Sequence, residues 1–342
     1  MMHKILFIVN PHSGTSDKST FQPMVERVVD LSRFQYEVVF TEYAGHATEL
    51  AQQAVKDGYD AVVAVGGDGT VNETARGLIN TQTALGVVPC GSGNGLARHL
   101  MIPLSIKKSL EIINDFEVHD LDYGLIDGHP FFCTCGMGFD AFISQKFSEA
   151  GKRGPATYLE QILKGALNYQ PETYELSDES GKYRYKAFLV SCANASQYGN
   201  NAYIAPQASM SDGLLDVIVM EPFDMIDAPQ ISLEMFNKTL DKNAFIKTFR
   251  TKRLQIHRKE EGVIHYDGDP AQAGKDITVE VVHKGIKIIV NRNADKRLRR
   301  PNAIQSAASY FFNEINAIRQ DMVKQGRHVM AISKVLQRKL NK

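Results

Sequence analysis

The chain has 342 residues, of which 43% are apolar, and its formal net charge at pH 7 is zero. This length and composition predict two domains with buried cores. No stretch approaches the length of a membrane span and no signal peptide precedes Ile5, so we expect a cytoplasmic protein. The four cysteines lie in apolar, strand-like contexts, which predicts buried thiols in a reducing compartment rather than disulfides.

Three apolar runs in the first part of the chain each end in a loop of small and polar residues. The loops are Asn10-Pro-His-Ser-Gly14, Gly66-Gly-Asp-Gly-Thr-Val-Asn-Glu73 and Gly91-Ser-Gly-Asn-Gly95. Strands that alternate with helical segments, such as His46–Lys56, predict a parallel α/β domain up to residue 122. Because the carboxyl ends of parallel strands share one edge of a sheet, we expect the loops to converge there on a phosphate-bearing ligand.

The middle loop carries a carboxylate, Asp68, among glycines at the start of a predicted helix. Backbone N–H groups of such a turn bind anions, and a carboxylate there would repel a phosphate unless a cation lies between them. Asp68 is therefore interpreted as a ligand of a Mg2+ that is bound to a nucleotide, or as the acceptor of the proton of a reacting hydroxyl. For this motif alone, the alternative is a tight strand-to-helix turn with an acidic N-cap. The dinucleotide fingerprint, the Walker A loop and the protein-kinase motifs do not occur, which excludes the commonest nucleotide sites.

From residue 123 the chain is rich in strands, with strand-like runs at Tyr185–Ser191, Leu215–Val219 and Thr278–Val282. These runs predict an antiparallel β-sandwich, which a helical stretch over 156–167 interrupts. The predicted fold class is therefore α/β plus β. The predicted domains are 1–122 and 123–293, with a helical extension over 294–342, and the active site is expected between the first two.

Together with Ser209-Met-Ser-Asp-Gly-Leu-Leu-Asp216 and Asp267-Gly-Asp-Pro270, the three loops resemble the motifs of the diacylglycerol kinase catalytic family in order and spacing. This family includes bacterial diacylglycerol kinases, YegS-type lipid kinases, sphingosine kinases and ceramide kinases. The resemblance implies an NAD-kinase-like nucleotide-binding domain followed by a lipid-substrate domain. It also implies an ATP- and Mg2+-dependent lipid kinase that phosphorylates a hydroxyl of a diacylglycerol-like or sphingoid lipid, with a place in phospholipid biosynthesis.

The resemblance further implies roles for individual residues. The ATP site would comprise Asn10, Pro11, His12, Ser13, Gly14, Thr41, Gly66, Gly67, Asp68, Gly69, Thr70, Val71, Asn72, Glu73, Gly91, Ser92, Gly93 and Asn94. Asp68 would act through Mg2+ on the transferred phosphate, and Asp269 would be the base for the lipid hydroxyl, with Asp267 as its neighbour. A second, structural Mg2+ would be held by one carboxylate and two backbone carbonyls, at Ser209, Asp212 and Leu214.

Two positions depart from the family's pattern. Asp269 stands where the family has Glu, so a base one methylene shorter would reach less far or work through water. Gly95 stands where many bacterial diacylglycerol kinases have Asp, which favours a sphingoid base or another single-chain lipid. Without the resemblance, Asp267-Gly-Asp269 is interpreted as a hairpin turn. Asp140 could face the cleft, but it is interpreted as an ordinary strand-end carboxylate.

The predicted extension is basic, because residues 294–342 hold eleven Lys or Arg against three acidic residues, a net charge of +8. It has apolar residues at helical spacing over Ile304–Ile318, and a second helix is predicted over Val329–Leu340. We interpret it as helices that pack on the acidic body. The alternative is an amphipathic basic element that attaches the protein to anionic lipid at the inner face of the membrane.

The expected partner is a lipid substrate at the membrane surface, and a homodimer is compatible with the sequence. Nucleic acid is not expected, since no aromatic residues interleave with the basic ones of the extension. Two other functions stay open. An NAD kinase would share the Gly-Gly-Asp-Gly-Thr turn and the two-domain plan. A catalytically silent nucleotide-binding or membrane-docking protein would account for the change at Asp269.

Overall fold

The structure describes residues 2–14, 20–150, 169–224 and 226–294. These residues form two sheets, of ten and six strands, together with helices. The structure is a computed structural model. The described residues up to Ala294 form one compact unit. The helix predicted over 156–167 and the extension beyond residue 294 lie outside the described residues. Within the described ranges, no helix is both long and apolar enough to cross a bilayer.

The first part of the chain alternates strands and helices. Its elements are β1 (His3–Val9), α1 (Phe21–Val28), β2 (Phe34–Phe40), α2 (His46–Lys56), β3 (Ala61–Gly66), α3 (Asp68–Leu78), β4 (Ala84–Pro89), α4 (Gly95–His99) and α5 (Ile106–Asp115). The four strands are parallel in the order β2-β1-β3-β4. Every residue of β3 and β4 is buried, as expected for strands covered on both faces. One face packs on α2, α3 and α4 and the other on α1 and α5, which confirms the predicted parallel α/β domain.

The remaining strands of the first sheet come from later in the chain. They are β5 (Val118–Ile126), β6 (His129–Phe131), β8 (Glu172–Asp178), β9 (Gly181–Ala187), β13 (Arg253–Arg258) and β16 (Asp276–Ile289). The long strand β16 connects the two parts of this sheet. Its first residues pair antiparallel with β13, whereas Ile288 near its end pairs in parallel with Leu85 of β4.

The second sheet is antiparallel throughout, in the order β12-β11-β10-β7-β14-β15. Its strands are β7 (Thr134–Gly138), β10 (Leu189–Ala193), β11 (Leu215–Met220), β12 (Ile246–Thr251), β14 (Gly262–Tyr266) and β15 (Asp269–Ala273). Two helices lie between its strands in the chain, α6 (Phe139–Ala150) after β7 and α7 (Ala228–Phe236) after β11. Side chains of both sheets, such as Ile256 from β13 and Val190 from β10, share one hydrophobic core. The predicted β-sandwich is therefore confirmed.

One predicted strand differs from the structure. The predicted strand Tyr185–Ser191 is divided at Phe188, because β9 belongs to the first sheet and β10 to the second. The N–H of Phe188 donates to the carbonyl of Met220 (2.7 Å), and its carbonyl accepts the N–H of Phe139 (2.9 Å). A run that the sequence presents as one strand therefore contains a transfer of the chain between sheets.

Candidate functional site

The carboxyl ends of three neighbouring parallel strands carry the three loops predicted from the sequence. The N–H of Asn10 donates to the carbonyl of Val65 (3.0 Å), and the N–H of Cys90 donates to the carbonyl of Gly66 (2.7 Å). The end of β2 joins them, since the N–H of Thr41 donates to the last carbonyl of β1 (2.9 Å). The predicted convergence of the loops at one edge of the sheet is confirmed.

Glycine residues allow these loops to touch. A Cβ atom at Gly91 would lie 2.6 Å from the Cα of Gly67, and one at Gly93 would lie 2.7 Å from Oδ2 of Asp68. Gly14 in the first loop has a φ of +66°, and a Cβ there would collide with the carbonyl that follows β4. Any side chain at these positions would push the loops apart, so glycine is required by the contact itself.

The Asp68 carboxylate connects the second loop to the third. Asp68 is the first residue of α3, and its two oxygens accept the N–H groups of Asn94 (2.8 Å) and Gly95 (2.6 Å). Hydrogen bonds to a charged acceptor at these lengths are strong. A carboxylate at position 95 would have little room, because a Cβ there would lie 3.2 Å from the carbonyl oxygen of Tyr198.

The first loop is held against α3 by the side chain of Asn10. Its Nδ2 donates to Oγ1 of Thr70 (3.0 Å), and its Oδ1 accepts the N–H of His12 (2.9 Å). The hydroxyl of Ser13 donates to the Asn10 carbonyl (3.0 Å). The exposed members of the predicted ATP site at this edge are Pro11, His12, Gly14, Gly69 and Ser92. The first loop and the start of α3 therefore line one face of the candidate site.

Three predicted ATP-site residues lie deeper in α3. Val71 packs in the hydrophobic core between the sheet and α2, and Asn72 is buried. Glu73 is partly buried, and its carbonyl accepts the hydroxyl of Thr48 (2.8 Å). Val71 and Glu73 thus take part in the packing of α3, and contact of all three residues with a nucleotide stays a prediction.

Asp267 lies in the turn between β14 and β15, as the Asp-Gly pattern predicts. Asp267 and Gly268 both have positive φ angles, +52° and +88°, which is typical of a two-residue hairpin turn. The Asp267 carboxylate is enclosed by the N–H groups of Phe132 (2.7 Å), Cys133 (2.7 Å) and Thr134 (3.0 Å). Burial raises the pKa of Asp267 to about 6, and the three donors act in the opposite direction. This geometry suits a carboxylate that holds the turn in place.

Asp269, the other carboxylate of the hairpin, is half-exposed and pairs with an arginine that the sequence analysis did not single out. Nη2 of Arg76 donates to Oδ2 of Asp269 (2.7 Å), and the guanidinium lies 5.1 Å from the ring centre of Tyr266. Nε of Arg76 is buried and has no hydrogen-bond partner among the described residues. Arg76 follows Asp68 on α3 by two turns, so the pair connects the elements that carry Asp68 and Asp269.

Cys133 lies between the two carboxylate sites. Its N–H donates to Asp267, and its Sγ is 3.5 Å from the position of a Cβ at Gly95, the residue whose N–H donates to Asp68. Burial raises the pKa of the Cys133 thiol well above its ordinary value, and both carboxylates add to the effect. The thiol therefore stays protonated at neutral pH and is a poor nucleophile. All four cysteines are free, as predicted.

The residues predicted to hold a structural Mg2+ lie in one turn before β11. Oδ1 of Asp212 accepts the N–H of Leu214 (3.1 Å), and Oδ2 lies 3.7 Å from Nη1 of Arg250. Arg250 also donates to Asp216 (3.0 Å). A Mg2+ held by the carbonyls of Ser209 and Leu214 would therefore share the Asp212 carboxylate with a guanidinium.

A buried carboxylate that the sequence analysis also missed anchors this turn. Asp122 in β5 is fully buried and accepts the N–H groups of Gly213 and Lys284, both at 2.7 Å. Nδ1 of His283 lies 2.8 Å from the same carboxylate. The sequence signal was an acidic residue between two apolar residues of a strand, a position where burial requires hydrogen-bond partners.

Asp140 differs from the ordinary strand-end carboxylate that the sequence suggested. It is the second residue of α6, its side chain is 10% exposed, and Oδ2 lies 3.0 Å from Nε2 of His265. His265 on β14 is likewise buried. His265 was not singled out by the sequence analysis, and the available signal was a histidine inside the strand-like run Val263–Tyr266.

The Asp68 carboxylate and the nearby backbone N–H groups fit a metal ion that is bound together with a nucleotide. The part of the chain that the structure describes holds no cluster of three or more His, Cys, Asp or Glu side chains suited to a metal ion. Mg2+ in phosphoryl-transfer sites is held by one or two carboxylates together with substrate phosphates. Asp68 supplies a carboxylate beside the first N–H groups of α3, which have no intrahelical acceptor and can bind phosphate.

Two family models match the chain in succession. The "Diacylglycerol kinase catalytic domain" matches residues 4–126, and the "YegS C-terminal NAD kinase beta sandwich-like domain" matches residues 133–290. The first match contains the three loops with Asp68, and the second contains Asp267 and Asp269.

Relatives and a solved structure are similar over most of the chain. The "Probable lipid kinase YegS-like" protein of Chromohalobacter salexigens is 29% identical over 233 residues, which cover 66% of this chain and 75% of that protein. The "Diacylglycerol kinase" of Bacillus subtilis is 23% identical over 273 residues, which cover 78% and 90%. The crystal structure of a diacylglycerol kinase from Bacillus anthracis shares the fold, with a TM-score of 0.68 at 21% identity over 85% of this chain and 97% of that one.

Proposed function

Since the chain belongs to the diacylglycerol kinase catalytic-domain family, we propose that it transfers the γ-phosphate of ATP, with Mg2+, to a hydroxyl group of a diacylglycerol-like or sphingoid lipid. Membership of this family makes the protein a kinase. The nucleotide, the metal ion and the class of lipid are the proposed part. We further propose that it acts in the cytoplasm on a lipid at the inner surface of the membrane.

The observation that carries the proposal is the position of Asp68. This carboxylate stands at the start of α3, where three glycine-containing loops meet and backbone N–H groups are free of helical partners. Phosphoryl transfer depends on positioning and on neutralising phosphate charge, and such a site supplies both without a covalent nucleophile. Mg2+, when bound, would neutralise charge on the phosphates.

The hairpin turn supplies the second part of the proposed mechanism. The oxygen of the lipid hydroxyl attacks the γ-phosphorus, the bond between that phosphorus and the leaving oxygen of ADP breaks, and the hydroxyl proton passes to a base. Asp269 is the candidate for this base, because its side chain is 52% exposed. Asp267 is enclosed by backbone N–H groups and would hold the turn. Arg76 would orient the Asp269 carboxylate through their hydrogen bond.

The test is transfer of labelled γ-phosphate from ATP with Mg2+ to detergent-solubilised lipids. The acceptors would be diacylglycerol, a sphingoid base, ceramide and monoacylglycerol, with NAD as an acceptor outside the lipids. Asp68→Asn keeps the size of the side chain and removes its charge. Asp224→Asn makes the same chemical change at an exposed carboxylate and serves as the matched control.

We expect a labelled lipid with the wild-type protein and with Asp224→Asn, and a loss of at least about 100-fold with Asp68→Asn, as for removal of a group that stabilises transition-state charge. Labelled NADP would instead identify an NAD kinase. ATP binding without any labelled acceptor would identify a silent nucleotide-binding protein and overturn the proposal.

A further inference from the structure

The buried side chains of Asp140 and His265 are joined across β7. Nε2 of His265 lies 3.0 Å from Oδ2 of Asp140, and the two side chains are 3% and 10% exposed. Gly136 of β7 lies opposite His265 in the sheet register, and a Cβ there would be 2.5 Å from Oδ2 of Asp140 and 3.1 Å from Nε2 of His265. The pair can therefore meet only because β7 has a glycine at the crossing point.

The imidazole connects this pair to the hairpin turn. Nδ1 of His265 accepts the N–H of Gly268 (3.4 Å), the residue between Asp267 and Asp269. Because Nδ1 accepts this hydrogen bond, the ring proton is assigned to Nε2. The N–H at Nε2 then donates a hydrogen bond to Asp140. One ring thus links a carboxylate fixed at the start of α6 to the backbone of the turn that presents Asp269.

Asp140 is also connected to the loop that binds Asp68. The hydroxyl of Tyr198 donates to Oδ2 of Asp140 (3.3 Å). The segment that begins with Tyr198 lies on the third glycine loop, since the N–H of Asn200 donates to the carbonyl of Gly93 (3.0 Å). The N–H groups of this same loop, at Asn94 and Gly95, donate to the Asp68 carboxylate. Asp140 therefore lies between the supports of Asp68 and of Asp269.

A buried polar pair of this kind is costly for stability, because each group loses its hydration and an apolar pair of similar size would often be at least as stable. Its connections to both carboxylate sites suggest why it is present. We propose that Asp140 and His265 are positioning residues for phosphoryl transfer. They hold the turn that presents Asp269 at a fixed distance from the third glycine loop, which binds Asp68. This inference rests on the proposed function, in which Asp68 and Asp269 take part in the same phosphoryl transfer.

Three substitutions separate the connections. His265→Gln keeps a donor toward Asp140 and loses the acceptor for the N–H of Gly268. Tyr198→Phe removes only the hydroxyl that donates to Asp140. Asp140→Asn removes the charge that both of them contact. The control is His257→Gln, because His257 forms an exposed pair with Asp276 (2.7 Å) in the first sheet, whereas His265 belongs to the second sheet.

The readouts are kcat, the Kd for ATP and the free energy of unfolding in urea, all on the full chain. We expect kcat to fall by about 10- to 100-fold in His265→Gln and Asp140→Asn, because a displacement of about 1 Å at a reacting group costs this much. The Kd for ATP should change by less than about threefold, since the pair does not touch the nucleotide loops directly. The control should keep wild-type kcat.

The double variant of Tyr198 and His265 gives a second test. If both act through Asp140, its loss of kcat will be smaller than the product of the two single losses. Because Tyr198→Phe removes a single oxygen atom, it keeps the test informative even if Asp140→Asn fails to fold.

Wild-type kcat in His265→Gln and Tyr198→Phe would overturn this inference and leave the proposed function intact. A loss of kcat that equals the loss of folded protein would also overturn it, since the pair would then be structural only. A wild-type protein that phosphorylates no lipid would refute the proposed function, and this inference with it.

Discussion

The Asp267 carboxylate gives the free energy of unfolding a pH dependence that one variant can isolate. Burial raises the pKa of Asp267 from 3.8 to about 6 in the folded protein. One pKa unit corresponds to about 1.4 kcal/mol, so ionisation of this group costs the folded state about 3 kcal/mol above pH 6. Because the pKa is raised on folding, the associated stability is fully present below pH 3.8 and is lost as the pH rises through about 6.

The assay compares the wild-type protein with Asp267→Asn, which cannot titrate at this position. Urea unfolding would be followed by circular dichroism, because the chain has no tryptophan for fluorescence. The unfolding free energy of the wild type minus that of the variant should fall by about 2 kcal/mol between about pH 4.5 and 7, and all other titrating groups cancel in this difference. Asp224→Asn, at an exposed carboxylate, should give a difference that does not change with pH.

A difference that stays constant or increases with pH would refute the reasoning. It would mean that the three N–H donors around the carboxylate outweigh burial and that the pKa is not raised on folding.

Three further predictions concern the loops and the turn before β11. In urea unfolding, Gly91→Ala should lower the unfolding free energy by about 1–3 kcal/mol, because its Cβ would clash with the backbone of Gly67. Gly69→Ala should be neutral or stabilising, because a Cβ there has no neighbour within 4 Å. Asp122→Asn should lower Tm by several degrees, since an amide would face one of the buried donors, a cost of about 1–3 kcal/mol. If Mg2+ binds beside Asp212, chelation will lower the wild-type Tm but not that of Asp212→Asn, whereas equal shifts in calorimetry would exclude that site.

Local patterns made much of the fold and the candidate site predictable. The glycine loops follow buried strands directly, and an Asp-Gly pair between strands specifies a hairpin wherever positive φ angles are needed. Helix α2 was predicted at its observed bounds, His46–Lys56, because its small apolar residues recur at helical spacing and face the sheet. These features depend on residues close together in the chain.

The contacts between distant residues were not predictable. Arg76 and Asp269 are 193 residues apart, and Asp140 and His265 are 125 residues apart. In the sequence, each of these residues could equally be a solvated charge or a packed polar group. Only the topology of the fold brings the partners together. The division of Tyr185–Ser191 at Phe188 was not predictable either, because both sheets bury the same types of residue.

The pairing of β16 with β4 has a consequence for synthesis of the chain. Ile288 near the end of β16 meets Leu85 of β4, so one edge of the parallel strands has no partner until about 200 further residues have been translated. At about 5–20 residues per second, this edge is open on the ribosome for roughly 10–40 s. An unpaired strand edge of buried, apolar sequence is a site for aggregation. Residues 4–126 expressed alone would keep that edge open permanently.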